Sequence, residues 1–272
     1  MLRRAFLVLA LLLPALPAIS GTAEDAHRLL ELIGFRQAMV SSAAGLAKAP
    51  ATLVAAAPEM EASWRLAAQR HIDADRLVEA AATRIAEVMS DDELAALIAA
   101  FDTPFARRVT ALEIAAQDPA LGDLPDVEGA RLFAEVVRGD AERLELFKAL
   151  DRGLGAVEGG VATALNFSFA LLSGMVASGK VPGNPTDGEI MARVQAQAPA
   201  MRVAVMTSVY TDLAYTYREL SNDELGRYIA LLTRPETRRL YSVMNAATEA
   251  EIARAMRAIG HELMVQAGKR KA

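Results

Sequence analysis

No cysteine occurs in the 272-residue chain, histidine is limited to His27, His71 and His261, and aromatic residues make up 5% of positions. The first absence excludes disulfide scaffolds, thiolate zinc sites, cysteine nucleophiles and cysteine-ligated iron–sulfur clusters. Three scattered histidines give a multi-histidine metal site almost nothing to draw on, so neither a metal nor another cofactor is expected. The chain has no G-x-S-x-G elbow, no Walker loop, no strand-linked G-x-G-x-x-G and no H-E-x-x-H. His261-Glu262 lacks the second histidine four residues on, and His71 beside Asp73 is ordinary helix-boundary chemistry. Positive charge is also in short supply, with 29 Lys and Arg against 34 Asp and Glu and a net charge of −5, which argues against a nucleic-acid binder. Strand-like runs with period-two alternation are missing as well.

What is present is helical. Hydrophobic residues make up 53% of the chain and alanine alone fills 56 positions. That is too apolar for a disordered protein and long enough for a sizeable core without disulfides or metals. Alanine, leucine, arginine and glutamate are good helix formers. Start signals recur at Asp73, at Ser90 with Glu93 as a capping box, at Thr103 followed by Pro104, at Asp140 and at Thr186. Each precedes apolar residues at helical spacing. The expected fold is all-α.

Residues 1–23 read as a secretory signal. Arg3 and Arg4 form the positive start, residues 6–13 are an unbroken apolar run, and Pro14 and Pro17 precede two small-residue cleavage points, before Gly21 or before Glu24. The run is shorter than the ~20 apolar residues of a spanning helix. Without cysteine there is no lipoprotein processing, and no thiol to mispair in an oxidising compartment. The expected location is the periplasm, with a mature charge of −7 once two arginines are removed.

An internal repeat organises the rest. Residues 90–109 align without gaps to residues 221–240, offset by 131, with nine of twenty positions identical. Ser90 or Ser221 caps a helix, with Glu93 or Glu224 completing the box. Leu94, Leu97, Ile98 and Phe101, or Leu225, Tyr228, Ile229 and Leu232, form its apolar stripe. Pro104 or Pro235 ends that helix and starts the next, which predicts a fixed corner. The unit resembles a bacterial exported family catalogued as domain of unknown function 2059. Ser90, Glu93, Leu94, Ile98, Phe101, Thr103, Pro104 and Arg108 carry the resemblance in one half. Ser221, Glu224, Leu225, Ile229, Pro235 and Arg239 carry it in the other, with Tyr217 upstream at a position often aromatic in the family. The family's tyrosine is Asp102 or Thr233 here, and its glycine is Ala106 or Thr237. The resemblance implies an all-helical periplasmic domain and supplies no activity.

The organisation expected is a bundle of two related helical repeats: residues 24–120, connecting helices over 121–160, a second repeat over 161–268 and a basic tail over 269–272. Residues 159–179 carry no charge and are long enough to span a bilayer. The readings are a membrane span, a cavity wall, or a core helix that is apolar all round because other helices surround it; the last is preferred, so no transmembrane helix is expected in the mature chain.

The one feature both repeats share as a candidate site is an arginine pair, Arg107 and Arg108, matched by Arg238 and Arg239. They fall at the fourth and fifth helical positions, and cations near a helix N-terminus sit at the positive end of the dipole, at a cost of ~0.3–1 kcal/mol. Three readings stay open: a salt bridge to a carboxylate on a neighbouring helix such as Glu79 or Glu87, simple exposure, or an anion bound from outside. Glu93 does not fit within its own half, because it lies well back along its helix from the corner. These features suggest a non-catalytic module that binds a protein or envelope component. A carrier holding an apolar ligand between the halves and a cell-wall hydrolase are the alternatives, and the oligomeric state is left open.

Overall fold

The computed structural model describes residues 20–48 and 58–270, and among them all regular structure is helical. The chain runs through α1 (Ser20–Leu32), α2 (Phe35–Ala47), α3 (Glu61–His71), α4 (Ala74–Val88), α5 (Asp91–Phe101), α6 (Pro104–Ala116), α7 (Leu124–Gly139), α8 (Ala141–Leu154), α9 (Ala156–Ala177), α10 (Asp187–Gln195), α11 (Ala198–Thr216), α12 (Asn222–Leu232) and α13 (Pro235–Arg270). Most of the secretory-signal stretch lies outside the described residues. Its last residues open α1, so that helix crosses both candidate cleavage points. The first two residues of the basic tail, 269 and 270, continue the last helix.

The caps follow from side chains that satisfy the first free amides. Asp73 accepts from the Asp75 amide at 2.9 Å, Thr103 from Ala106 at 3.2 Å and Asp140 from Arg143 at 2.9 Å. Full capping boxes form at Ser90, Thr186 and Ser221. Pro104 and Pro235 are the first residues of α6 and α13, so each ends one helix and begins the next. Both stripes are buried: Leu94, Leu97, Ile98 and Phe101 from α5, and Leu225, Tyr228, Ile229 and Leu232 from α12. They share one core with Leu29, Ile85, Phe147 and Leu240. Each large apolar side chain so enclosed contributes ~1.5–3 kcal/mol.

The helices of the two halves are not segregated. In the first half α1 packs on α5 and α2 on α4; in the second, α8 packs on α12 and α9 on α11. The terminal stretches are exchanged, α13 lying along α4 and α7 along α11. Residues 104–139 and 235–270 are equally long, but the first stretch is broken into α6 and α7 by Pro119 and Pro125. The expected connecting helices over 121–160 include α7 and α8, which meet at Asp140; α7 lies along α11 and α8 packs on α12.

The charge-free stretch falls in α9, and its environment corrects the expectation of a fully surrounded core helix. Only Val157, Val161, Ala170 and Gly174 are buried along its 22 residues. By length and composition it could cross a membrane. One face lies on α13 at backbone contact. A methyl group on Gly260 would sit 2.1 Å from the Leu171 carbonyl oxygen, and one on Gly174 would sit 2.0 Å from that of Arg257. These glycines let the two longest helices touch along their backbones. We expect Gly260→Ala to force them apart and cost about 1–3 kcal/mol, read as a lower urea midpoint at unchanged helical content.

Candidate functional site

The arginine pairs are resolved by the capping boxes. In each box one carboxylate oxygen is used locally: Glu93 Oε2 accepts from the Ser90 amide at 2.9 Å, and Glu224 Oε2 from the Ser221 amide at 3.0 Å. The other oxygen of each faces the opposite half. Arg108 Nη1 donates to Glu224 Oε1 at 2.6 Å, and Arg239 Nη1 donates to Glu93 Oε1. The second nitrogens reach carbonyls two residues before the caps, Arg108 to Glu219 at 3.4 Å and Arg239 to Val88 at 2.6 Å. Every member of one clamp is 131 residues from its counterpart in the other. Hydrogen bonds from the serine backbone and side chain and from the arginine hold both glutamates below the usual carboxylate range.

An anion site shared by all four arginines is therefore not formed. Arg108 and Arg239 are occupied by these clamps. Arg107 turns to Asp102, donating from Nε at 2.6 Å, and Asp102 also accepts from Arg28 at 3.3 Å. Arg238 makes no ion pair among the described residues, because Thr233 stands where its counterpart has Asp102. The suggested partners Glu79 and Glu87 are engaged elsewhere, with His27 at 3.4 Å and Arg84 at 2.8 Å. Glu93 makes no pair with the arginines of its own half, as its place on the helix predicts, and it accepts from Arg239 of the other half.

Two clefts share the wall formed by Leu154 and Tyr241. The larger, about 630 Å³, lies between α9 and α13 with its mouth at the end of α2. Gly155, Gly159 and Gly160 form part of its floor, Leu46, Phe167 and Ile252 line it, and Glu249 accepts from the Thr163 hydroxyl at its side. Gly155 has φ 64°, a left-handed conformation that ends α8 and turns the chain directly into α9. The glycine floor is thus set by the same residue that aims the helix.

The smaller cleft, about 290 Å³, is bordered by Glu113, Asp212, Tyr217 and Tyr241. Sequence reasoning passed over Glu113. Its signal was that of a lone acid in the apolar run Ala111-Leu112-Glu113-Ile114-Ala115. Tyr217 and Tyr228 donate to its Oε1 at 2.6 and 2.8 Å. Burial raises the Glu113 carboxyl even against those two bonds, and raises both phenols well above their ordinary value. Asp212 is pushed up to about 6 by desolvation and by the nearby Asp126.

No family model, curated protein or solved structure matches the chain.

The clamps have a pH signature. Glu93 and Glu224 ionise more readily when folded, so their stabilisation is complete above the ordinary glutamate pKa and fades as pH falls through the lowered values. We expect Arg108→Gln with Arg239→Gln to lower the melting temperature at neutral pH, by an amount that shrinks towards zero in acid. Arg107→Gln with Arg238→Gln should have a smaller effect at neutral pH.

Proposed function

We propose that this chain is an exported, non-catalytic binding module of the bacterial envelope that takes an apolar chain into the cleft between α9 and α13. The observation that carries this reading is the combination of a half-exposed α9, which carries no charge after Glu158 in its first turn, with a cleft of about 630 Å³ along its glycine face. That volume lies in the range of small-molecule sites, which are mostly apolar with a few placed polar groups. Here the polar groups are Tyr241, Asn245 and the Thr163–Glu249 pair. Export is supported by the character of residues 1–23 and by the lack of cysteine. The 131-residue correspondence of the clamps supports an origin by duplication of one helical unit, with its last helix exchanged between copies.

The single tryptophan reports on the cleft. Trp64 donates from its indole nitrogen to the Leu46 carbonyl at 3.0 Å, and Leu46 lines the cavity. Gly159 offers a means of filling the cleft, since a side chain there meets nothing within 4 Å. Dodecanol should give a saturable change in Trp64 emission, with butanol as the short control. Gly159→Leu should abolish the change while the protein melts at the same temperature or higher, because leucine exceeds glycine in helix propensity by up to ~1 kcal/mol. No saturation, or saturation that survives Gly159→Leu, would overturn the reading.

A further inference from the structure

The smaller cleft holds two carboxyl groups, Glu113 and Asp212, with no cationic partner among the described residues. Both tyrosine hydroxyls end on Glu113 Oε1, and Oε2 makes no hydrogen bond among the described residues. The Tyr241 hydroxyl, on the cleft wall, likewise has no hydrogen-bond partner among them, and burial with Glu113 close by pushes its phenol up. Asp212 stands at the same cleft, with Asp126 beside it and only the Ser208 hydroxyl, at 3.4 Å, donating to it. Among the described residues no Lys, Arg or His borders the cleft, while Phe35, Leu213, Leu232 and Met244 give it apolar walls. A buried carboxyl without a countercharge is costly. The tyrosine bonds hold this one in place and supply no countercharge.

The arrangement exists once. Glu113, Tyr217, Tyr228 and Tyr241 correspond, at the 131-residue offset, to Met244, Ala86, Leu97 and Thr110, none of which carries an acid or a phenol. The four corresponding positions pack without this chemistry. Departures from local consistency of this kind mark functional positions.

We propose that the cleft bordered by Glu113, Asp212, Tyr217 and Tyr241 binds the ammonium group of a small organic amine. Glu113 Oε2 and the Tyr241 hydroxyl accept two of the ammonium hydrogens, and Asp212 supplies the second negative charge at the rim. The aromatic walls favour a cation over a neutral isostere. The described residues hold no group of three or more His, Cys, Asp or Glu fit to ligate a metal, whereas an ammonium needs only a few acceptors and an apolar sleeve for its alkyl part. A volume of about 290 Å³ suits one short alkylamine rather than a polymer segment.

The test is calorimetric titration of the full chain with butylammonium chloride, with butanol as the uncharged isostere. Saturable binding of the amine and none of the alcohol at neutral pH is expected, weakened about tenfold or more by Glu113→Gln, a loss on the order of 1.4 kcal/mol. Asp212→Asn and Tyr241→Phe should each weaken it less. If Glu113→Gln loses its helical signal, those two cleft-wall variants carry the comparison. Equal binding of amine and alcohol, no saturable binding of the amine, or affinity unchanged in the folded variants would overturn the proposal.

Discussion

A glutamate that does two things at once holds the two halves in register. One oxygen of Glu93 closes the first turn of α5, and the other accepts from Arg239 of the opposite half; Glu224 does the same for α12 and Arg108. The local cap fixes the carboxylate's direction, so the arginine meets an acceptor already in place. The reciprocal pattern, residue i to j and j to i, is what a two-fold interface produces, here within one chain. The pairs are partly exposed, and isolated surface ion pairs contribute little. Their weight comes from occurring twice and from sitting where each half's terminal helix crosses to the other. The stripes of α5 and α12 meet in the core that this crossing encloses.

The molecule departs from its own correspondence at informative places. Asp102 gives Arg107 a partner, while Thr233 leaves Arg238 without one among the described residues. Pro119 and Pro125 break the first terminal stretch, whereas the second continues unbroken as α13 and provides the long surface against which α9 lies. Glu113 stands where the second half has Met244, accepts from Tyr217 and Tyr228, and lies close to Tyr241. Both proposed binding sites therefore border α13, and Tyr241 stands between them.

Much of the local structure was legible in the sequence. Caps at Asp73, Ser90, Thr103, Asp140, Thr186 and Ser221 are short-range hydrogen bonds, and the stripes at Leu94 to Phe101 and Leu225 to Leu232 are periodic, so both leave marks in a single chain. Which half an arginine addresses is a property of the assembly of helices, and Glu93 was set aside for that reason. The exposure of α9 was equally hidden, because charge-free composition is the same for a core helix and for one that lines a cleft. Gly174 and Gly260 become meaningful only when the backbones they bring together are known. The acid at Glu113 was visible as an interruption of an apolar run, but its tyrosine partners lie 104 and 115 residues away.

The central claim is that the two clamps couple the halves directly. A double-mutant cycle of Arg239→Gln and Glu93→Gln, followed by urea unfolding at neutral pH, tests it, with Arg108→Gln and Glu224→Gln as the matching cycle. The account predicts that the double variant loses less than the sum of the single losses, with the same sign in both cycles. Strictly additive losses in both cycles would contradict it.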